Sequence, residues 1–256
     1  MTYENYVSLA KDAAILAGEK IMDIYNASND IKFESKNDNS PLTIADKKSH
    51  ATIINILNKT NINILSEESD SIDYNVRKNW DEYWLIDPLD GTKEFIKKNG
   101  EFTVNIALIK KNKPFIGVVF CPVNKILYWN DAKKNVYKKK LGEYEIKLNK
   151  RNSINDTEKN LRIVVSRSHL NEDTNNYIHK LNSPQLISCG SSLKFLYIAD
   201  NKADIYPRFG PTMEWDTAAA HSILKSLNIM VMNLEDKKEL SYNKKNLLNP
   251  YFLIKP

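Results

Sequence analysis

Apolar residues recur at three- and four-residue steps over positions 2–27, a spacing that predicts an amphipathic helix. Thr43 can cap a second helix that reaches about Lys59, and a short strand is predicted at 62–65. Runs of β-branched and aromatic residues with short polar links then indicate an antiparallel meander. Its predicted strands are Thr103–Ile109, Pro114–Phe120, Lys125–Trp129 and Asn135–Lys139.

The remainder of the chain alternates between strand-like and helix-like stretches, which predicts an α/β arrangement. The polar stretch 149–160 between the two patterns is the candidate boundary. We therefore predict a single catalytic unit, residues 1–256, with an α+β half containing the meander at 1–155 and an α/β half at 156–256. The second half has predicted strands at Leu161–Val165, Gln185–Ser188, Asp204–Tyr206, Ile229–Met232 and Tyr251–Ile254, and predicted helices at Glu172–Leu181, Leu193–Asn201 and Thr217–Leu227.

Composition narrows the class of protein. The chain has 256 residues, of which 27% are charged, and a net charge of +5, which is ordinary for a globular protein. No apolar run approaches the ~20 residues of a membrane helix, and the first residues lack the apolar stretch of a signal peptide. Cys121 and Cys189 show neither metal-binding spacing nor a disulfide framework. We expect a soluble cytoplasmic protein, monomer or homodimer, with peripheral association with the inner membrane left open.

Lysines at 133–140 form the densest positive cluster of the sequence. They could bind nucleic acid, or they could form the solvated end of a hairpin. The cluster contains Tyr137 as its single aromatic residue, and no recognised nucleic-acid module surrounds it. The hairpin interpretation is therefore favoured, and no nucleic acid polymer is expected as a partner.

The segment 84–95, with the sequence WLIDPLDGTKEF, carries the first candidate chemistry. Its apolar residues predict a buried strand that Pro88 and Gly91 stop, so that Asp87 and Asp90 would share a tight turn at its end. Two carboxylates so close repel each other unless a cation lies between them, and Mg²⁺ prefers such oxygen ligands. Thr92 would cap a helix whose first amides suit a phosphate. The alternative is a surface turn held by Asx hydrogen bonds.

Three other acidic residues have both a structural and a functional interpretation. Glu67 follows the strand predicted at 62–65, where the sites of layered α/β folds form, although adjacent glutamates are also common on solvated loops. Asp46 falls in the first turn of the second predicted helix, where the helix dipole favours an acid. Asp216 enters a helix of small residues and could be an ordinary N-cap.

Taken together, these elements resemble the inositol monophosphatase superfamily of Mg²⁺-dependent, lithium-sensitive phosphatases. The shared pattern is a Glu-Glu pair at 67–68, Asp-Pro-Leu-Asp-Gly-Thr at 87–92, and Trp-Asp at 215–216 followed by small residues. Asp46 matches a fourth position of the pattern. The resemblance spans nearly the whole chain and implies a layered αβαβα sandwich of the sugar phosphatase type, in the α/β (α+β) class.

A closer resemblance exists to the CysQ-type 3'(2'),5'-bisphosphate nucleotidases of that superfamily. It is carried by residues 166–169, 190–195 and 206–212, and by Asp-Gly-Thr-Lys-Glu-Phe at 90–95. It implies hydrolysis of the 3'-phosphate of adenosine 3',5'-bisphosphate to AMP and phosphate, with two or three Mg²⁺ ions. The alternatives are an inositol monophosphatase or sugar-bisphosphate phosphatase of the same superfamily, and an inactive homologue that only binds nucleotides.

The resemblance also implies roles for individual residues. Lys36 would lie near the metals, although a solvated surface lysine is an equal alternative, and Lys194 and Arg208 could instead be a solvated lysine and a surface ion pair. The implied catalytic residues are Asp46, Glu67 and Thr92. The implied metal ligands are Glu67, Asp87, the Leu89 carbonyl, Asp90 and Asp216. The implied substrate contacts are Gly91, Thr92, Ser166, Ser191, Ser192, Lys194, Arg208 and Asp216.

Overall fold

The computed structural model describes residues 1–27, 31–35, 41–154, 159–167 and 171–256. Lys36 and the predicted boundary at residue 155 lie outside these ranges. The helices of the described chain are α1 (Tyr3–Ala27), α2 (Ile44–Leu57), α3 (Tyr74–Arg77), α4 (Thr92–Ile96), α5 (Glu172–Ile178), α6 (Leu193–Ala199) and α7 (Glu214–Ser226).

The predicted strands are present within a few residues of their predicted positions, whereas the strands at Pro41–Thr43 and Ile146–Leu148 were not predicted. A short 3-10 turn, Asn58–Thr60, separates α2 from the third strand. The strands are β1 (Phe33–Ser35), β2 (Pro41–Thr43), β3 (Asn63–Ser66), β4 (Glu82–Asp90), β5 (Thr103–Lys110), β6 (Lys113–Cys121), β7 (Ile126–Asn130), β8 (Val136–Lys140), β9 (Ile146–Leu148), β10 (Arg162–Ser166), β11 (Gln185–Cys189), β12 (Tyr206–Arg208), β13 (Met230–Asn233) and β14 (Phe252–Lys255).

One large sheet forms the centre of the described fold. Its strand order is β3-β4-β5-β6-β7-β8-β9, with β3 parallel to β4 and every later neighbour antiparallel. The predicted meander is therefore confirmed. Helix α1 packs on one face of this sheet together with α2, because its alanines at every third or fourth position give a smooth buried surface.

The opposite face of the large sheet is covered by α6 and α7. Beyond these helices lie the parallel pair β10-β11 and the antiparallel sheet β12-β14-β13, which are joined by a bridge from Ile163 to Ile205. Helix α5 packs on the outside of these strands through Ile178. The layers thus run helix, sheet, helix, sheet, helix, which confirms the αβαβα sandwich inferred from the resemblance.

Helix α7 lies unusually close to strand β6. A Cβ atom added at Gly117 would come within 2.0 Å of the carbonyl oxygen of Ala219 and within 2.9 Å of the Ser222 side chain. Only a residue without a side chain permits this approach. The same core cluster contains Tyr83 of β4 and Ala218 of α7, so the second half of the chain packs directly on the sheet of the first.

Strand β2 begins with a proline. Pro41 pairs there with Ser35 of β1. A proline is tolerated at the first residue of a strand on a sheet edge.

Within the described residues, no helix has both the length and the apolar character needed to cross a bilayer.

Candidate active site

Strand β4 delivers the first two carboxylates of the site. The predicted tight turn is wrong, because the strand itself continues to Asp90 and changes register against β5 between Asp87 and Asp90. A proline can sit within a strand at such an irregularity, where the missing N–H is not needed for the ladder. Asp87 and Asp90 therefore lie on a distorted strand end rather than on a tight turn.

The helix cap predicted at Thr92 is also wrong. Helix α4 begins at Thr92 itself, and Gly91 precedes it with a left-handed φ of 94°. Glycine suits this position because a Cβ atom there would lie 2.9 Å from the carbonyl oxygen of Glu101. The Thr92 hydroxyl is thus not used as a cap, and it lies 3.2 Å from Oδ1 of Asp46 and 3.2 Å from the Leu89 carbonyl oxygen.

Asp46 combines its structural and functional interpretations. Its Oδ2 accepts hydrogen bonds from the Thr43 amide at 2.7 Å and from the Thr43 hydroxyl at 2.6 Å, which closes a capping box at the start of α2. Its Oδ1 accepts from Thr92. One buried carboxylate therefore fixes both the start of α2 and the hydroxyl of Thr92.

Glu67 and Asp216 reach the same region from other elements. Because β3 and β4 are parallel, their ends meet at one edge of the sheet, and Glu67 immediately follows β3. Asp216 belongs to the first turn of α7, where its Oδ2 accepts a hydrogen bond from the Met213 amide at 2.8 Å. Ligand oxygens of Glu67, Asp87 and Asp216 lie within 4.8 Å of one another.

This arrangement is electrostatically unfavourable without a cation. Burial, together with the charges of Glu67, Asp90 and Asp216, raises the pKa of Asp87 well above its ordinary value. Burial and the carboxylates of Asp90 and Glu67 likewise raise the pKa of Asp216. A buried cluster of carboxylate oxygens fits a hard divalent cation such as Mg²⁺, which would compensate the repulsion. The donor set therefore fits the predicted metal.

The carboxylates line a cavity of about 240 Å³. The structure brings the predicted site residues together around this space, except for Asp46. That residue does not line the cavity but contacts Thr92, which does. The predicted lining residues are Glu67, Asp87, Leu89, Asp90, Gly91, Thr92, Ser166, Ser191, Ser192, Lys194, Arg208 and Asp216.

Two basic side chains of the cavity wall are buried rather than solvated. Lys194 is 6% exposed, and its Nζ donates to the Ser191 carbonyl at 2.6 Å. Arg208 is 9% exposed, and its Nη2 donates to the Pro211 carbonyl at 2.9 Å. Within the described residues, the buried Nε of Arg208 has no hydrogen-bond partner. The alternatives of a solvated lysine and a surface ion pair are therefore wrong.

Several residues of the site were not found from the sequence. Glu101 pairs with Arg167 at the cavity rim through two hydrogen bonds of 2.6 and 2.7 Å. Asn105 is buried on β5 and touches Asp90. The available signal was a polar residue inside an otherwise apolar strand, which has no explanation without a partner. Glu214, to which no role was assigned, is fully buried and accepts hydrogen bonds from the backbone amides of residues 243 and 244.

Comparison with known proteins decides which family has this site. The inositol monophosphatase family model matches residues 2–251. The chain belongs to the inositol monophosphatase family. It is 43% identical over 241 residues to the 3'(2'),5'-bisphosphate nucleotidase CysQ of Salmonella typhimurium, covering 93% of this chain and 94% of the relative. The corresponding protein of Escherichia coli K12 is 42% identical over the same shares.

Solved structures of the inositol monophosphatase family have the same fold. The crystal structure of CysQ from Bacteroides thetaiotaomicron superposes with a TM-score of 0.84 at 45% identity, covering 98% of this chain and 97% of that one. An inositol monophosphatase from Zymomonas mobilis superposes with a TM-score of 0.76 at 18% identity, covering 100% and 94%. The second likeness concerns the fold alone, whereas the first also extends to much of the sequence.

Proposed function

We propose that this member of the inositol monophosphatase family is a Mg²⁺-dependent 3'(2'),5'-bisphosphate nucleotidase. It hydrolyses the 3'-phosphate of adenosine 3',5'-bisphosphate to AMP and phosphate. The high identity to relatives with that name, over nearly the full length of both chains, supports the reaction. The observation that carries it is the unpartnered Nε of a buried arginine in the wall of the acidic cavity.

Arg208 distinguishes a bisphosphate from a monophosphate substrate. Its guanidinium offers donors in a planar fork that matches the oxygens of a phosphate group. Its charge also acts on Asp216, where it lowers the pKa and so partly offsets the effects of burial and of the neighbouring acids. We infer that Arg208 and Lys194 bind the 5'-phosphate while the 3'-phosphate lies at the carboxylates.

The carboxylates of the cavity wall would bind the metal ions. Mg²⁺ held by Glu67, Asp87, Asp90, Asp216 and the Leu89 carbonyl would lower the pKa of a water and stabilise the departing 3'-oxygen. We expect two or three ions. The Thr92 hydroxyl, when it donates to Asp46 Oδ1, leaves its oxygen free to accept a hydrogen bond from that water. Asp46 thereby orients the water for attack on the 3'-phosphate through Thr92. Glu67 assists as a ligand of the metal ion that would lower the pKa of that water.

The remaining assignments are inferred from position in the cavity wall. The backbone amides of Gly91 and Thr92 would bind oxygens of the 3'-phosphate, and Ser166 and Ser191 would contact the substrate. Ser192 already has partners within the protein, since its hydroxyl donates to the Asp216 backbone carbonyl at 3.0 Å and its amide donates to Asp90 Oδ2 at 2.7 Å. A monomer or homodimer in the cytoplasm stays our expectation, while association with the inner membrane has no support in the described residues.

Phosphate release from three substrates tests the proposal. Purified protein is assayed with adenosine 3',5'-bisphosphate, adenosine 3'-phosphate and inositol 1-phosphate, each with Mg²⁺ and with excess EDTA. The bisphosphate should have the highest kcat/KM, and EDTA should abolish all activity. Preference for inositol 1-phosphate would favour an inositol monophosphatase instead. Binding of the bisphosphate without phosphate release would indicate an inactive homologue.

A further inference from the structure

Three polar residues on one side of the chain at β5 contact three consecutive residues of the segment 190–192. Thr103 and Asn105 lie two positions apart in β5, so their side chains point to the same face of the strand, and Glu101 precedes the strand by two residues. Each forms one hydrogen bond with one residue of the segment, in the same order along the chain. Glu101 Oε2 accepts from the Gly190 amide at 2.8 Å, Thr103 Oγ1 lies 2.7 Å from Ser191 Oγ, and Asn105 Nδ2 donates to Ser192 Oγ at 3.0 Å.

The segment needs such support because its backbone is unfavourable for the residues it contains. Ser191 has a left-handed φ of 53°, which is uncommon for a residue other than glycine. The residue after it, Ser192, is almost completely buried and donates its amide to Oδ2 of Asp90 at 2.7 Å. The contacts from β5 therefore hold a strained turn against a predicted metal ligand.

Asn105 is the member of this set that reaches the ligand itself. Its Nδ2 lies 3.2 Å from Oδ2 of Asp90, the same oxygen that accepts from the Ser192 amide. Within the described residues, the hydrogen bonds of Asp90 fall on Oδ2, which leaves Oδ1 for a cation. The Thr103 hydroxyl donates to the side-chain Oδ1 of Asn105 at 3.0 Å, so the Nδ2 end of the amide faces the Asp90 carboxylate.

We propose that Asn105 is a positioning residue for the metal site, which holds the Asp90 carboxylate in one orientation and ties it to Ser192. The proposal rests on the proposed function in that it takes Asp90 as a Mg²⁺ ligand. A carboxylate with both oxygens free to rotate must be ordered when the ion binds, whereas one anchored through Oδ2 is already ordered. Partners of this kind are typically worth about 10- to 100-fold in metal affinity or activity.

Asn105→Ala is the test variant, and Asn130→Ala is its matched control. Asn130 is likewise a fully buried asparagine of the large sheet, with its side chain bonded to the Gly117 amide and the Phe115 carbonyl. It loses comparable hydrogen bonds without touching Asp90. Asn105→Ser provides a second variant that keeps a small polar side chain, but its hydroxyl is too short to bridge Asp90 and Ser192 together.

Binding of Mg²⁺ to the substrate-free protein is measured by titration calorimetry, and binding of Mn²⁺ by electron paramagnetic resonance. Relative to the wild type, Asn105→Ala and Asn105→Ser should weaken binding by about 10- to 100-fold, and the Mg²⁺ concentration for half-maximal rate should rise by a similar factor. Asn130→Ala should bind Mg²⁺ as the wild type does, although it melts at a lower temperature.

The outcomes separate this proposal from the proposed function. Wild-type affinity in both Asn105 variants, or an equal loss in Asn130→Ala, would overturn the positioning role. If the wild type fails to hydrolyse adenosine 3',5'-bisphosphate while the Asn105 variants still lose Mg²⁺ affinity, the positioning role stands and the proposed function fails. If the wild type hydrolyses adenosine 3',5'-bisphosphate while the Asn105 variants bind Mg²⁺ as the wild type does, the proposed function stands and the positioning role fails.

Discussion

Oδ1 of Asp46 lies 3.2 Å from the hydroxyl of Thr92, while Oδ2 of the same carboxylate closes the capping box with Thr43. The start of α2 and the candidate nucleophile-orienting hydroxyl are therefore held by opposite oxygens of one side chain. A change at Asp46 affects both stability and catalysis, and a suitable control must separate the two effects.

Asp46→Asn should lower kcat by at least ~100-fold, the lower range for a group that positions proton transfer. It should also cost about 1 kcal/mol of unfolding free energy because the capping box is weakened. Thr43→Ala should cost a similar free energy of unfolding, but it leaves Asp46 facing Thr92 and should retain most of the rate. Urea melts and steady-state kinetics give the two quantities. Equal losses of kcat in both variants would mean that Asp46 acts only through α2.

Asp87→Asn should abolish activity without destabilising the metal-free protein. The amide oxygen can still accept from the Leu89 amide, now 3.0 Å from Asp87 Oδ1, and removal of the charge relieves the repulsion that raises the pKa of Asp87. Saturating Mg²⁺, at about 100 times its Kd, should stabilise the wild type by ~2.7 kcal/mol and this variant much less. Thermal melts in EDTA and in Mg²⁺ measure both effects. A large loss of stability in EDTA would make Asp87 a structural residue.

Arg208→Glu should lower kcat/KM for adenosine 3',5'-bisphosphate by at least about tenfold. A charged hydrogen bond contributes ~1.5–3 kcal/mol, which corresponds to roughly a tenfold to hundredfold change. Activity on adenosine 3'-phosphate should fall much less, because that substrate lacks the group that Arg208 binds. Arg208→Lys keeps the charge but not the planar fork and should give an intermediate loss. Equal losses on both substrates would assign Arg208 to the fold or to the carboxylates.

Stability in acid should depend on Asp204, which is not among the residues that line the cavity. Burial opposes ionisation there, but hydrogen bonds from Arg162 and Arg151 outweigh it and lower the pKa of Asp204 to about 2. This pKa lies below that of an unfolded aspartate, ~3.9. The ionised Asp204 therefore contributes fully to the free energy of unfolding above about pH 4, and this contribution is lost as the pH falls toward 2.

Asp204→Asn should therefore destabilise the protein at pH 7 by on the order of 2 kcal/mol, and its difference from the wild type should shrink between about pH 4 and 2. Urea melts across this range provide the measurement, and the variant should keep the Mg²⁺ response of the wild type. A difference that stays constant with pH would show that the ionised carboxylate is not the stabilising species.

Local patterns predicted most of the elements, because each of them follows from a few neighbouring residues. Thr43 could be identified as a helix cap, and the bounds of α1 follow from its alanines and isoleucines. Pro88 misled the prediction of β4, since a proline usually ends a strand and only the pairing with β5 shows that the register shifts there. Thr92 was assigned as a cap for a similar reason, although Gly91 provides the turn.

The acidic residues of the site were identified from the resemblance to the inositol monophosphatase superfamily, because Glu67, Asp87, Asp90 and Asp216 each belong to one of its motifs. Asn105 was not, because its partners, Asp90 and Ser192, lie 15 and 87 positions away. No local pattern relates a side chain on a strand to a turn in the other half of the chain. The burial of Lys194 and Arg208 also depends on tertiary packing, which is why both had a solvent-exposed alternative at the level of sequence.

The missing side chain at Gly117 permits the close contact between the central sheet and α7. Asp87 belongs to the sheet and Asp216 belongs to α7, and Gly117 lies at the contact between these two elements. A methyl group there would have to displace the Ala219 carbonyl, now 2.0 Å from its position, by roughly 1 Å, and a misplacement of that size can cost ~100-fold in rate. Gly117→Ala should therefore disturb the predicted metal site from a position two strands away from Asp87.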